Sequence, residues 1–472
     1  MDFRTTSLTD LAGSVRTRKM SARELTAIAL DRIAALNPRY NAFVAVDPER
    51  ALADAAALDE AIAKGGDPGP LAGIPLAVKD NHDAVGFRTT HGAPVLADAP
   101  PATVDSPFVA RLRAAGCVIV GKTNMPEFAW SSNTSNALFG PTVNPFNPDH
   151  GPGGSSGGSA AALAAGMVPL ATGSDGGGSI RLPSACCGLS GMKPSLGRVP
   201  GGGPTPQSWI DLSTSGPMAR RIGDVVTALD VAVGPDPTDL RSLPRPEASW
   251  LAALDDAHVP LRVAWAPTLG YATVDAEVLA ICELAVEVLE SLGAAVTVLE
   301  TVFDPEPVSE FVTLMGACQL RTMRPFMSHP RWDDIDPGLR ALVDAAQSMT
   351  AEQLVRVFDR CHTMNLDLVD LFHEVRILVT PTAAGVAPFV GTGLSTINGE
   401  VTGNWLYFTY PFNMTRSPAA TVCAGLTTAG LPVGLQLIGP QHGDLVVLRT
   451  AAALEAALDA ARGADLLAPV EG

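Results

Sequence analysis

Residues 151–183, GPGGSSGGSAAALAAGMVPLATGSDGGGSIRLP, set two glycine-serine clusters on either side of an apolar, alanine-rich run, and they contain no histidine. A flexible linker would carry no apolar helix between its glycines, and AAALAAGMVPLA should be buried. A phosphate loop does not fit either: Gly153 and Gly158 have the spacing, but Ser159 stands where a lysine is required. Ser155 and Ser156 each have a glycine two before and two after, as in a nucleophile elbow. An elbow follows a strand, however, and the preceding NPFNPDHGP is a proline-rich loop. It also needs a downstream histidine, and His258, His329, His362, His373 and His442 lie in no supporting motif. The remaining reading begins at Ser179 in GGGSIR. Three successive glycines let backbone N–H groups turn inward together beside a serine hydroxyl, as an oxyanion site requires. With no histidine nearby, the base that suits such a serine is a lysine kept neutral by burial, and Lys79 ends an otherwise apolar strand.

The surrounding chain reads as α/β. GIPLAVKD is a short apolar strand closing at Lys79–Asp80, and RLRAAGCVIVGKTNM is a helix end running into a strand at 117–120. Residues 21–63 carry apolar positions three and four apart, with Ser21 as a cap and Glu24 three residues on. They are expected to form two helices broken at Asn37–Pro38. Residues 259–299 read as strand, helix and strand, with longer helical patterns at 275–292 and 351–373. VRILVTP is a strand, SPAATVCAG and LPVGLQLIG form a closing hairpin, and DLVVLRTAAALEAALDAA is the last helix.

Composition narrows the function. The chain has 472 residues, 47% hydrophobic, and 49 acidic against 32 basic side chains give a net charge of −17. With no Lys/Arg-rich run, neither nucleic acid nor an anionic membrane is expected as a partner. Seven cysteines are scattered, and only Cys186 and Cys187 are adjacent. They read as reduced, buried core thiols in a cytoplasmic protein. No stretch reads as a signal peptide or a bilayer span.

GIPLAVKD, GKTNMPEF, GPTVNP, the whole 151–200 block and GLPVGLQLIG together resemble the amidase signature family, in order and spacing from about Ser21 to about Glu455. The resemblance implies a single large α/β domain, a central mixed sheet covered by helices on both faces. Within it, 1–65 would be an N-terminal helical arm, 66–200 the core carrying the signature, 201–374 a variable substrate-pocket region and 375–472 the completing strands and helix. It implies a Ser–Ser–Lys triad: Ser179 as nucleophile, Ser155 as bridging serine after a cis Gly154–Ser155 bond, and Lys79 as base. The N–H groups of Gly176, Gly177, Gly178 and Ser179 would form the oxyanion hole. Ser156 would be a supporting hydrogen-bond partner, and Asp175 and Arg181 would fix the loop by a charged hydrogen bond. No metal and no cofactor is called for.

The expected reaction is hydrolysis of a small apolar or aryl carboxylic amide through an acyl-enzyme, with carbamates and esters open to the same chemistry. The tentative pocket is Phe128, Ala129 and Trp130 with Trp405 and Tyr407 of an aromatic loop, the alternative for that loop being core packing. The competing reading is the glutamine-hydrolysing component of a tRNA-dependent amidotransferase complex. Those glutaminase chains tend to carry an acid where Leu406 stands here. Arg416 is a further departure, near a position where relatives commonly have glycine. Oligomeric state is left open.

Overall fold

A computed structural model describes residues 1–462 and 466–469. Its strands, in chain order, are β1 (Phe43–Val46), β2 (Pro75–Lys79), β3 (Val118–Thr123), β4 (Leu170–Asp175), β5 (Ser190–Lys193), β6 (Thr214–Ala219), β7 (Arg262–Trp265), β8 (Ala295–Val298), β9 (Ile377–Pro381), β10 (Ser395–Ile397), β11 (Glu400–Thr402), β12 (Ala419–Leu426) and β13 (Pro432–Ile438). All but the small β10–β11 hairpin join one sheet, in the order β1-β3-β2-β4-β6-β5-β12-β13-β9-β7-β8. Strand β2 runs parallel to β3 and β4, and β7 parallel to β8 and β9, while β4–β6, β5–β12 and β12–β13 are antiparallel. The chain is therefore a single mixed α/β domain.

Helices cover both faces, and the strands show why. Successive side chains on a strand point to opposite faces. Val263 and Trp265 of β7 enter one apolar core while Ala264 enters another, and Ile377, Leu378 and Val379 of β9 divide the same way. The first core takes in the N-terminal helices and those at Ala276–Ser291 and Asp444–Arg462; the second takes in Val308–Met323, Ala351–Glu374 and the aromatic segment around Trp405. A strand buried on both faces loses its alternation, and PLAVK of β2 is buried at every position.

The N-terminal helices differ in one respect from the sequence expectation. Ser21 and Glu24 form a capping box, but the helix Ala22–Tyr40 runs through Pro38 and stops at Asn41, which is left-handed at φ 48°. Proline in the last turn forfeits little, and Asn37 exchanges hydrogen bonds with Phe43 beyond the helix end. The four-residue β1, too short for a visible alternation, then fills the space before Pro48–Ala63. In the middle region, helices at Val308–Met323 and Pro337–Ala346 add to the two expected. All seven cysteines are free, Cys186 and Cys187 among the buried ones. Among the described residues no helix is long and apolar enough to cross a membrane.

Candidate active site

Strand β2 delivers Lys79 into the interior, where it has no solvent exposure. Its Nζ lies 2.8 Å from Ser155 Oγ, 2.9 Å from Ser156 Oγ and 2.9 Å from Ser174 Oγ. Burial pushes the amine down to about 7, against the opposing pull of the Asp175 carboxylate. Lys122 and Asp80 next door form a separate buried ion pair at 3.1 Å.

The first glycine-serine cluster holds Ser155 and Ser156, both fully buried, and the Gly154–Ser155 bond is cis. The helix Gly157–Ala164 follows, buried along its whole length. It sits close against the chain after β3: a Cβ on Gly158 would come 2.4 Å from the Asn124 nitrogen. Strand β4 then returns to the centre, with Thr172 and Ser174 on one face. Thr172 Oγ1 accepts from the Lys79 N–H at 2.9 Å, and Ser174 Oγ meets the lysine amine.

At the second cluster the chain folds back over Asp175, whose carboxylate accepts from the N–H of Gly178 at 2.7 Å and of Ile180 at 3.2 Å. Gly178 takes φ +127°, where a side chain would meet Thr409. The N–H of Ser156 donates to the Ser179 carbonyl at 3.2 Å and ties the clusters together. Ser179 itself is partly exposed. This geometry corrects the expected oxyanion donors: the Gly178 N–H is spent on Asp175, while those of Gly176, Gly177 and Ser179 make no hydrogen bond among the described residues.

Arg181, fully buried, holds the turn in place. Nε and Nη2 donate to Asp175 at 2.9 Å each, Nη2 also to Asn413 Oδ1, and Nη1 to the Thr409 carbonyl and Gln436 Oε1. All five guanidinium donors are used. Burial by itself would raise the Asp175 carboxyl, but Arg181, with Lys193 and Asn413, holds it well below the usual range.

A cavity of about 20 Å³ opens at Ser155 and Ser179, walled by Phe128, Ala129, His91 and Trp209. Trp209 lies against Gly176, where a Cβ would meet its ring at 2.8 Å, and Phe311 packs over Gly177. The other pocket candidates are elsewhere. Trp405 is fully buried in the second core, its indole N–H donating to the Gly393 carbonyl at 3.0 Å. Tyr407 packs on Tyr271, and Trp130 covers Gly338. Trp405 thus packs in the core, whereas Tyr410 of the same loop stacks on Phe311 at 4.8 Å. Arg416 is half exposed and ion-paired to Asp211 at 3.5 Å, beside a different cavity. Its φ of +59° places it in the region glycine favours.

Ser174, Asn81, His91, Trp209 and Phe311 were not anticipated from the sequence. Thr172 and Ser174 carried a signal, two hydroxyls at alternate positions of a buried strand; Trp209, in a glycine- and proline-rich loop, carried none. The histidine beneath the site is His82, bonded to Thr172 at 3.0 Å and Ser215 at 3.1 Å. Burial and the charges of Lys79 and Lys122 keep it neutral down to about 3. No group of three or more His, Cys, Asp or Glu side chains among the described residues could hold a metal ion.

The sequence profile of the amidase family matches residues 24–448. The acylamidase of Rhodococcus erythropolis is 37% identical, covering 95% of each chain. The A-type chain of the glutamyl-tRNA(Gln) amidotransferase of Thiobacillus denitrificans is 36% identical over 94% of this chain and 96% of its own. Among solved structures, a bacterial aryl acylamidase of the amidase signature family superposes with a TM-score of 0.90 at 30% identity, covering 96% of each chain.

Proposed function

The chain belongs to the amidase family, an amide-hydrolysing enzyme by its relatives, and we propose that it works through Ser179, Ser155 and Lys79 on small acyl amides with an apolar or aryl group. The observation that carries this reading is the buried Lys79 amine, lowered to about 7 and 2.8 Å from Ser155 Oγ. A neutral amine has two N–H donors and one lone pair. Ser156 Oγ donates to the Ser174 carbonyl, which leaves it to accept from Lys79, and Ser174 Oγ, accepting from the Asn81 amide, has a second lone pair for the lysine's other N–H. The lone pair is then left for the Ser155 O–H.

Ser155 passes its proton to Lys79 and takes the proton of Ser179 as Ser179 Oγ attacks the acyl carbon. The oxyanion is received by the free N–H groups of Gly176, Gly177 and Ser179. When the C–N bond breaks, the proton returns through Ser155 to the leaving amine. Water then attacks the acyl-enzyme by the same relay and releases the acid. Ser156 orients the lysine, and the Asp175–Arg181 pair shapes the glycine turn. Phe128, Ala129 and Trp209, with Phe311 behind, supply an apolar wall that suits an aryl or alkyl acyl group. Esters and carbamates present the same carbonyl.

The similarity to the amidotransferase chain favours a second reading, glutamine hydrolysis in a complex. One experiment separates the two. The purified chain is offered hexanoyl 4-nitroanilide, a matching ester and carbamate, and glutamine, alongside a fluorophosphonate probe. Anilide turnover by the chain alone, with labelling lost in Ser179→Ala and kept in Ser156→Ala, supports the proposal. Turnover surviving in Ser179→Ala sinks the mechanism, and glutamine turnover without anilide turnover sinks the substrate reading.

A further inference from the structure

The space at Ser155 and Ser179 adjoins a larger cavity of about 140 Å³, and the two share Asn81, His91, Ser174, Ser208, Trp209 and Ser213. The larger cavity is bounded on one side by segment 200–209 and on the other by residues 81–83 and Ser106, the residue before the helix Pro107–Ala114. Its chemistry differs from that of the aromatic wall. Asn81 Oδ1 and Ser106 Oγ are both buried without a hydrogen-bond partner among the described residues. The Asn81 Nδ2 donates to Ser174 Oγ at 3.0 Å, which fixes the amide and leaves Oδ1 as a pure acceptor. Ser106 occupies a helix N-cap position, yet its hydroxyl caps nothing.

Asp83 lines the same cavity, and its carboxylate makes no hydrogen bond and no ion pair among the described residues. Lys122, which feels the Asp83 charge, is engaged with Asp80, the His82 and Arg88 carbonyls and Thr89 Oγ1. Buried polar atoms are nearly always paired, so two orphan oxygens around one cavity mark a place for a ligand rich in donors, and the half-buried Asp83 adds a negative charge beside them. An ammonium is that ligand: three N–H donors, no acceptor and a positive charge. Phe108 and Trp209 supply apolar surface for the methylenes that would lead to it.

We propose that this cavity is a polar subsite for the primary-ammonium end of an amide substrate, read by Asn81 Oδ1 and the Asp83 carboxylate with Ser106 Oγ as a third acceptor. The proposal rests on the reading of Ser179 as nucleophile in the adjoining space. It makes the preferred substrates amino-bearing amides, with the aromatic wall serving their apolar portion.

Matched pairs test it at about pH 8, where Lys79 is neutral and an alkylamine is charged. One pair carries the amine on the acyl side, 5-aminopentanoyl against hexanoyl 4-nitroanilide; the other carries it on the leaving side, N-(4-aminobutyl)benzamide against N-pentylbenzamide. The expected result is a kcat/KM preference of about tenfold or more for the ammonium member of at least one pair, collapsing to within about twofold in Asp83→Asn. A ratio near one in both pairs, or one retained in Asp83→Asn, overturns the proposal. Should that variant fail to fold, the unmodified enzyme decides: n-butylammonium should inhibit hexanoyl 4-nitroanilide turnover well below the concentration at which n-butanol does, and equal inhibition overturns the subsite. Fluorophosphonate labelling of Ser179 and turnover of the neutral members report separately on the nucleophile, so failure of the subsite and failure of the Ser179 reading are distinguishable.

Discussion

The block at 151–200 and the region at 201–374 both contribute to the same cavity, but they are held by different forces. In the block nearly every side chain is buried, and its turns are fixed by hydrogen bonds that leave little slack: Arg181 uses all its donors, and Gly158 lies against the backbone of Asn124. The middle region leaves Leu240 97% exposed, Leu284 61% and Val355 58%, and it reaches the site through two rings, Phe311 held by packing and Trp209 by packing with one long hydrogen bond from its indole N–H to the Phe128 carbonyl at 3.4 Å. Hydrogen-bond geometry tolerates little displacement, whereas apolar packing accepts substitutions of similar volume. The block is thus suited to fixing a reaction, and the middle region to varying what is bound.

Substitutions in the two regions should therefore fail differently. The largest effect is expected from Lys79→Met, a loss of about 10³-fold in kcat/KM with little change in melting temperature. In the unmodified enzyme, kcat/KM should rise with pH through about 7, because the amine acts as base only once it is neutral. A rate flat into acid would break the assignment. The same depressed value means that the unfolded chain holds a proton between about 7 and 10.5 that folded Lys79 does not, so stability gains with pH over that window. Chemical denaturation across it should show a smaller gain in Lys79→Met.

Next comes Arg181→Met, which strands the buried Asp175 carboxylate and should cost about 3–5 kcal/mol of stability by denaturant titration. A loss below about 1 kcal/mol would show that the block is less tightly determined than its hydrogen bonds indicate. Trp209→Ala, on the middle-region side, empties a buried site and should cost about 3 kcal/mol of stability, while lowering kcat/KM for aryl anilides by about 10–100-fold, mostly through KM. An equal loss for acetamide would place Trp209 with the reacting groups instead. Smallest of all, Leu240→Ser should stay within about 0.5 kcal/mol of the original stability and leave turnover untouched.

Legibility followed the same division. Strands β2 and β3, the helix with its Ser21 capping box, the helix Ala276–Ser291 and the β12–β13 hairpin could be read because local periodicity and turn residues specify them. Lys79 and Ser179 could be singled out because glycine turns and a lysine ending an apolar strand are local features, whereas the role of Ser155 came only from the resemblance to the family. The pocket was less legible. The aromatic loop around Trp405 reads as a pocket wall, yet Trp405 belongs to the core, and Trp209 arrives from a loop with no periodic signal. Burial of one ring rather than another depends on which distant element packs over it, and no window of sequence contains that information.

By itself the sequence determined the α/β class, the order of the main elements and the residue types available for chemistry. These follow from side-chain alternation, helical spacing and glycine's backbone freedom, all carried by near neighbours. Only the tertiary structure decided that Gly178 gives its N–H to Asp175 while those of Gly176, Gly177 and Ser179 find no partner among the described residues, and that Lys79 meets a serine 76 residues away. It also decided that burial lowers the amine to about 7 and that Asn81 Oδ1 and Ser106 Oγ, on residues lining a shared cavity, have no hydrogen-bond partner among the described residues. A proton's affinity and a donor's availability are set by the dielectric and the partners around an atom, and those exist only once the chain has closed on itself.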